Sequence, residues 1–342
     1  MARFTFFIGK GGVGKTTVSS AYALRRADAN PRKRILLLST DPAHSLADVL
    51  QTNVADAARL LPANGRFWVR QIDPDKQIKK FLARERGDIL ALLNKGSLFT
   101  SDELEPLLDT SLPGMAEVAA LLAVHELLAD KFDEIVIDTA PMGHTIRLFQ
   151  MPEHFARFLD VLETAASRDN VLARHFGGHV KREPALDRWA HMVAEVEEAL
   201  SAQGSKLVLV TTPEPFSLNE AARSAMGFSS AGAPNQIAEV VLNRAVRNAN
   251  ECTRCKRRAG ETRMALTFVR KHFSTAKLFV GEDPGCPILG IERLRAFGEH
   301  IFDVKKLSRS VVTKAPKAAK AKFEPASWPS LLTPLTLTVG KG

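Results

Sequence analysis

A short stretch near the start of the chain has the residue types and the spacing needed to hold a nucleoside triphosphate. Residues 9–17 read GKGGVGKTT, in which Gly9, Gly14, Lys15 and Thr16 satisfy the pattern G-x-x-x-x-G-K-[ST]. Glycines let successive backbone N–H groups turn toward phosphate oxygens, and a following helix presents its positive end to the same anion. Lys15 would add a charge at the β and γ phosphates, while the Thr16 hydroxyl would bind Mg²⁺. The stretch therefore predicts a phosphate-binding loop.

Lys10 is a second lysine in this loop, and an ordinary phosphate-binding loop has no role for it. It lies too near the N-terminal side of the turn to reach its own γ-phosphate easily. It could instead reach across a two-fold interface to a nucleotide held by a partner. The alternative is a surface lysine without a catalytic role.

Two predicted strands end in an aspartate. Residues 134–145 read EIVIDTAPMGHT and place Asp138 after an apolar run, and residues 36–45 read LLLSTDPAHS and place Asp41 likewise. Asp138 would hold the Mg²⁺ shell through water, because Mg²⁺ dehydrates reluctantly. Asp41 is the best candidate to orient the attacking water. An isolated aspartate is more often a turn or helix cap, but the paired occurrence favours a magnesium-dependent ATPase.

Composition limits the class of protein. The chain has 342 residues, 45% of them apolar, and three cysteines, which argues against a disulfide framework. No apolar run approaches the ~18 residues of a membrane-spanning helix, so we expect a cytoplasmic protein without its own transmembrane segment. Seven basic residues between 305 and 322 supply most of the net charge of +9. The rest is close to neutral, and no nucleic-acid partner is expected.

Short apolar runs alternate with helical stretches along the chain. Several runs are continuous rather than alternating, as expected for strands covered on both faces. Strands separated by helices predict an α/β fold with a doubly wound, mostly parallel sheet, whose ligand sites gather at the carboxyl ends of the strands. The predicted strands are 4–8, 34–39, 67–72, 134–138, 206–211 and 238–243.

The remaining stretches suggest how the chain is divided. Residues 1–304 would form an ATPase domain, with a helical insert subdomain built from the long insertions 74–131 and 149–205. Residues 305–330 are rich in Lys, Ala and Pro, which predicts an extended basic linker. That linker is either a solvated tether or a contact with an acidic or membrane surface.

Several motifs together resemble the ArsA arsenite-pump ATPase family, which includes the tail-anchored-protein targeting ATPases of the Get pathway. The similarity spans residues 4 to about 302. It is carried by the loop with Lys10 and by DPAHS (41–45), DTAPMGHTIRLFQMP (138–152), SLPGMAEVAALL (111–122), TTPEPFSLNEAAR (211–223), VVLNRA (240–245) and CPILGIERLRAFG (286–298). The resemblance implies a P-loop ATPase that uses ATP, ADP and Mg²⁺.

The resemblance also implies roles for particular residues. The phosphate cradle would consist of Gly11, Gly12, Val13, Gly14, Lys15, Thr16 and Thr17. The implied catalytic residues are Asp41, Lys10 and Lys15, with Lys10 reaching the opposite nucleotide. Asp138 would begin the second switch and, with Thr16, serve the Mg²⁺ ion. Asn243 would read the adenine, while His44 and His144 would serve conformational coupling rather than proton transfer.

Cys252 and Cys255 form a C-x-x-C pair in the stretch ECTRCKRR. One such pair supplies half of a structural zinc site, and the resemblance to the targeting branch implies a Zn²⁺ shared across a dimer. Two reduced thiols, or a thioredoxin-like redox pair, are the alternatives. Cys286 stands alone before a proline and is expected to be structural.

The insertions separate the two branches of the family. Arsenite-stimulated members have a cysteine before the helix that here begins near 115 and another in the later insertion, whereas this sequence has none in either insertion. Direct metalloid binding is therefore in doubt. Apolar residues at helical spacing in RLFQMPEHFARFLDVLE fit a groove for a client's transmembrane helix or, alternatively, ordinary core and dimer packing.

The end of the chain resembles its beginning. PLTLTVGKG at 334–342 is similar to RFTFFIGKG at 3–11, and the basic linker precedes it. Some arsenite-branch members are tandem duplications, so we expect residues 331–342 to begin a second, truncated ATPase half. The alternatives are coincidence and a single-unit protein with a short apolar tail.

Several functions stay open at this point. The ATPase, peripheral at the inner face of the membrane, would pair with a second half in the same chain or with a homodimer partner. It would drive an arsenite or antimonite pump or carry a tail-anchored client. A ParA/MinD-like positioning ATPase shares the lysine-containing loop, but its basic patch would here lie in a linker. A nitrogenase-iron-protein-like role lacks suitably spaced cysteines, and Asp41 disfavours a scaffold that binds ATP without turnover.

Overall fold

The computed structural model describes residues 2–41, 45–96, 115–139, 184–202, 204–230, 237–247 and 252–302. The strands are β1 (Arg3–Ile8), β2 (Arg34–Ser39), β3 (Arg59–Leu61), β4 (Arg66–Gln71), β5 (Glu134–Asp138), β6 (Lys206–Thr211), β7 (Ile237–Ala245) and β8 (Lys277–Glu282). The helices are α1 (Lys15–Ala29), α2 (Ser45–Leu50), α3 (Pro74–Gly96), α4 (Met115–Ala129), α5 (Pro184–Ser201), α6 (Pro215–Ser230), α7 (Thr253–His272) and α8 (Ile291–Phe302).

All eight strands form one sheet, in the order β3-β4-β2-β5-β1-β6-β7-β8. Every neighbouring pair is parallel except β3 and β4 at one edge. The predicted α/β fold with a mostly parallel sheet is confirmed. Loops that follow β1, β2 and β5 leave the same edge, because these strands are adjacent and point the same way.

Continuous apolar sequences place these strands in the middle of the protein. In β1, Phe4 and Phe6 belong to the core on one face of the sheet and Phe7 to the core on the other, and all three are essentially inaccessible to solvent. Successive side chains of a strand point to opposite faces, so a run of apolar residues buries both faces at once. This burial of apolar surface is the main contribution to the stability of the central strands. It therefore also fixes the positions of the predicted site residues, which lie at the ends of these strands.

The edge strands β3 and β8 were absent from the sequence prediction. β3 has only three residues, two of them exposed, and β8 alternates between buried and partly exposed positions with Gly281 inside it. An edge strand packs less than a central one, so its sequence lacks the continuous apolar run that marked the others. Pairing with the neighbouring strand, more than local composition, determines that these two segments form strands.

The described parts of the predicted insertions are helical. Helices α3 and α4 lie in the first insertion, and α5 lies at the end of the second. The rings of Phe81 on α3 and Trp189 on α5 pack at a tilt of 50°, with their centroids 6.2 Å apart. Glu85 accepts hydrogen bonds from Arg188 and from the Trp189 ring nitrogen, which joins the two insertions into one unit.

Several predictions lie outside the described residues: the loop histidines His44 and His144, most of the insertion 149–205, the linker 305–330 and the repeated motif at 331–342. Across the segments that are described, no helix combines the length and the apolar character that crossing a membrane requires.

Candidate nucleotide-binding site

The loop between β1 and α1 can form only with glycine at particular positions. A Cβ atom on Gly9 would lie 2.3 Å from the Val210 carbonyl oxygen, so the loop passes directly over the end of β6. Gly14 caps α1 in the left-handed conformation with φ of 89°, where other residues are strained. The loop is thereby held against the sheet, with Gly11 and Gly12 exposed at its outer side. Its backbone N–H groups and the start of α1 meet at one place, which suits a phosphate group.

Lys15 lies under this loop rather than in solvent. Its side chain is almost fully buried, and its ammonium donates a hydrogen bond of 3.2 Å to the Lys10 carbonyl oxygen. Burial lowers the pKa of Lys15, and the negative charges of Asp138 and Asp41 oppose that shift. The ammonium therefore lies between the phosphate loop and two carboxylates, where it can contact the terminal phosphates of a bound nucleotide.

Asp138 is the most buried of the predicted metal-site residues. It ends β5, is wholly inaccessible to solvent, and among the described residues neither of its carboxylate oxygens has a hydrogen bond of good geometry. Burial raises the pKa of Asp138 to about 7, while the Lys15 charge and the Thr16 and Ser19 hydroxyls oppose the rise. Unpaired buried carboxylate oxygens beside a threonine hydroxyl fit a hard cation such as Mg²⁺, held directly or through water.

Ser45 joins Thr16 at this place, although the sequence analysis did not assign it a role. The hydroxyl oxygens of Thr16 and Ser45 are 3.0 Å apart and hydrogen-bonded. Ser45 begins α2, immediately after the loop that starts at Asp41. A hydroxyl residue at the end of DPAHS was the only available signal, and nothing in the sequence showed that it faces Thr16. The contact connects the phosphate loop to the loop after β2.

Asp41 follows β2 and lies near the same centre. Its backbone N–H donates to the Ser39 hydroxyl, and its carbonyl oxygen accepts a hydrogen bond from the Gln71 side chain. Its charge acts on both Lys15 and Asp138. The parallel pairing that sets Ser39 beside Asp138 brings the two strand ends together. The structure thus gathers Lys15, Thr16, Asp41 and Asp138 from three separate segments.

Asn243, near the end of β7, contacts the phosphate loop. Its side-chain amide is buried and donates a 2.9 Å hydrogen bond to the Val13 carbonyl oxygen. The same amide nitrogen would lie 2.5 Å from a Cβ atom on Gly14. Asn243 therefore supports the loop from behind, and its predicted contact with adenine stays a prediction.

The chain matches the family of anion-transporting ATPases over residues 2–303. It is a member of the ArsA family. The arsenical pump-driving ATPase of Escherichia coli is 34% identical over 242 residues, which is 70% of this chain and 39% of that protein. ATPase GET3 of Komagataella phaffii is 26% identical over 317 residues, 88% of this chain and 90% of that protein. ATPase GET3B of Arabidopsis thaliana is 27% identical over 322 residues. The match thus spans about two fifths of the length of the Escherichia coli pump-driving ATPase.

Lys10 of this ArsA-family chain is held within its own subunit. Its ammonium lies 4.0 Å from the centroid of the Phe216 ring, at the start of α6. Its carbonyl oxygen accepts the hydrogen bond from Lys15. Reach toward a partner's nucleotide stays a prediction.

The cysteine pair lies away from this centre, at the start of α7. Cys252 caps the helix and is exposed, and Cys255 is half-buried. Hydrogen bonds from the Cys255 backbone and thiol lower the pKa of Cys252, and the same thiol contact raises the pKa of Cys255. Within the described segments, no cluster of three or more metal-binding side chains occurs. The predicted shared Zn²⁺ stays a prediction.

Proposed function

We propose that this chain is an ATP-hydrolysing switch that works against a facing copy or a second ATPase half. The observation that carries the proposal is the convergence of Lys15, Thr16, Asp41 and Asp138 at one edge of the sheet, where the Asp138 carboxylate is fully buried beside the Lys15 charge and the Thr16 hydroxyl. Membership in a family of ATPases supports the same activity.

Each residue has a physical task in this proposal. The loop N–H groups and the Lys15 ammonium hold the phosphates and offset their charge as it grows in the transition state. Thr16 and Asp138 would hold Mg²⁺, and the bound ion would supply positive charge that offsets the charge of the phosphates. Asp41 would orient water in line with the bond that breaks. Lys10 of the facing copy would add the last positive charge.

The output of the switch is proposed to be the driving of an arsenite or antimonite efflux pump at the inner face of the membrane. Support comes from the pump-driving ATPases that are 34% identical over 70% of the chain. The second candidate is the targeting of tail-anchored membrane proteins. It is favoured by a match to GET3 ATPases that extends over 90% of the relative, and by the exposed pair Cys252 and Cys255.

Phosphate release from ATP tests the activity and separates the two outputs. We expect release that requires Mg²⁺ and that falls at least a hundredfold in Lys15→Ala, about the loss that follows when one transition-state contact is removed. Addition of arsenite or antimonite should raise the rate if the chain drives a pump. An unchanged rate, together with co-purification of a tail-anchored client, would favour targeting. Absence of any magnesium-dependent release would refute the proposed function.

A further inference from the structure

The ring of Phe216 is unusual for its exposure. It is 59% accessible to solvent although it begins a helix that packs on the sheet, and one face carries the Lys10 ammonium at 4.0 Å. A cation at this distance from an aromatic face is attracted by the negative face of the ring. Among the described residues, the lysine of the phosphate loop thus makes a specific contact with an exposed phenylalanine.

The corner that carries Phe216 is fixed, whereas Lys10 is a long flexible side chain. Ser217 is buried, and its hydroxyl bonds to the Thr211 hydroxyl at 2.9 Å and accepts the Thr212 N–H at 3.2 Å. Pro213 and Pro215 flank the turn before the ring and restrict its backbone. The ring is therefore a fixed platform at the end of β6, next to β1 in the sheet.

The same loop connects this contact to nucleotide binding. The Lys15 ammonium bonds the Lys10 carbonyl oxygen, so Lys15 holds the backbone of Lys10 in the position that places its side chain on the ring. A phosphate in the loop competes for that ammonium, because an anion is a stronger acceptor than a carbonyl group. Phosphate binding would thus free the backbone that positions Lys10.

We propose that Phe216 retains Lys10 in its own subunit and that release of Lys10 from the ring precedes its reach to the facing site. Phe216 is then a positioning residue for the hydrolytic reaction. The inference rests on the proposed action of Lys10 across an interface. The Phe216 ring and the facing nucleotide would then compete for the Lys10 ammonium. A side chain at position 216 that attracts the ammonium less strongly would leave a larger fraction of Lys10 free.

Chemical labelling of Lys10 tests the retention without any need for activity. The nucleotide-free protein is treated with trace acetic anhydride, and acetylation of Lys10 is measured by mass spectrometry relative to the exposed Lys79. Phe216→Leu should raise the labelling rate about two- to fivefold, the strength of an exposed cation–π contact. Phe216→Trp should lower it, since indole is the better cation acceptor. Met226→Leu, an exposed change on the same helix, should leave it unchanged.

Phosphate release by the same variants tests the consequence. Phe216→Leu should raise the rate at low ATP about two- to fivefold, and Phe216→Trp should lower it. The labelling rate of Lys10 should increase from Trp to Phe to Leu at position 216, and any other order overturns the proposal. A phosphate-release rate that is the same in all three active proteins also overturns it. If the labelling follows the series while even the unsubstituted protein shows no magnesium-dependent release, retention is supported and the proposed function is what fails.

Discussion

Single residues of the phosphate loop differ in what they tolerate, and Gly14 and Gly11 form a matched pair. Gly14 has φ of 89° and a Cβ there would meet the Asn243 amide at 2.5 Å, whereas a Cβ on Gly11 meets nothing within 4 Å. We expect Gly14→Ala to lower the free energy of unfolding by about 1–2 kcal/mol, the strain of the left-handed conformation. Gly11→Ala should change it little. Urea unfolding without nucleotide measures both, and equal effects would contradict the loop geometry.

Asp138 illustrates a conflict between stability and function in one residue. Its carboxylate is fully buried, and the cost of burying the charge exceeds what the Lys15 charge and the Thr16 and Ser19 hydroxyls return, so the pKa rises to about 7 and the charged form destabilises the fold. We expect Asp138→Asn to raise the free energy of unfolding of the metal-free protein at pH 8 by more than about 1 kcal/mol. The same change should abolish magnesium-dependent phosphate release. A variant that is both less stable and fully active would exclude Asp138 from the metal site.

At the scale of elements, one ion pair ties α1 to the start of β5. The Arg26 guanidinium donates to both oxygens of Glu134, at 2.7 Å for the shortest contact, and Glu134 is almost fully buried while Arg26 is one-quarter exposed. The helix that carries the phosphate loop is thereby fixed at its far end. The position of the other end of α1, where the phosphate loop lies, depends on how this helix packs.

Loss of Arg26 should therefore leave a buried carboxylate without its charged partner, in contact with the Tyr22 hydroxyl at 3.5 Å. We expect Arg26→Met to lower the free energy of unfolding by about 2 kcal/mol, below the range for a fully buried pair because Arg26 is partly exposed. Arg257→Met is the control, since its pair with Glu261 lies on an exposed helix surface and should contribute less than about 0.5 kcal/mol. Denaturant unfolding measures the loss of unfolding free energy in both variants. Equal losses would contradict the larger contribution expected of the buried ion pair.

The central elements were predictable and the edge elements were not, for a physical reason. β1, β2, β5 and β6 are buried on both faces, so their sequences are continuous apolar runs. β3 and β8 depend on a neighbouring strand more than on their own composition. Whether such a segment forms a strand depends on its tertiary contacts, which a local sequence pattern does not show.

The same distinction holds for the site. The proximity of Lys15, Thr16, Asp41 and Asp138 could be predicted because local motifs and strand ends place them at one edge, while their roles stay predictions. The contacts of Asn243 with Val13, of Ser45 with Thr16 and of Phe216 with Lys10 join segments between 29 and 230 residues apart. Such contacts depend on side-chain conformation and packing, so they could be found only in the folded chain.

At the scale of the whole molecule, the proposed role of Lys10 requires two phosphate loops that face each other. Within its own subunit, the Lys10 ammonium lies over the Phe216 ring. Two-fold symmetric dimers are the commonest homo-oligomers, and in them a residue of each subunit can contact the same site of the other subunit. A facing half, from a second copy or from a longer chain, would supply the lysine that this site lacks.

Complementation between two inactive variants tests whether Lys10 acts on the nucleotide of a facing copy. Lys10→Ala keeps an intact phosphate loop but offers no lysine to its partner, while Lys15→Ala offers Lys10 but cannot hold its own nucleotide. Each variant alone should release little phosphate. In an equal mixture that exchanges subunits, magnesium-dependent release should recover to roughly a quarter of the unsubstituted rate, because half of the pairs contain one complete site. A purified mixed pair that stays as inactive as either variant alone would contradict it.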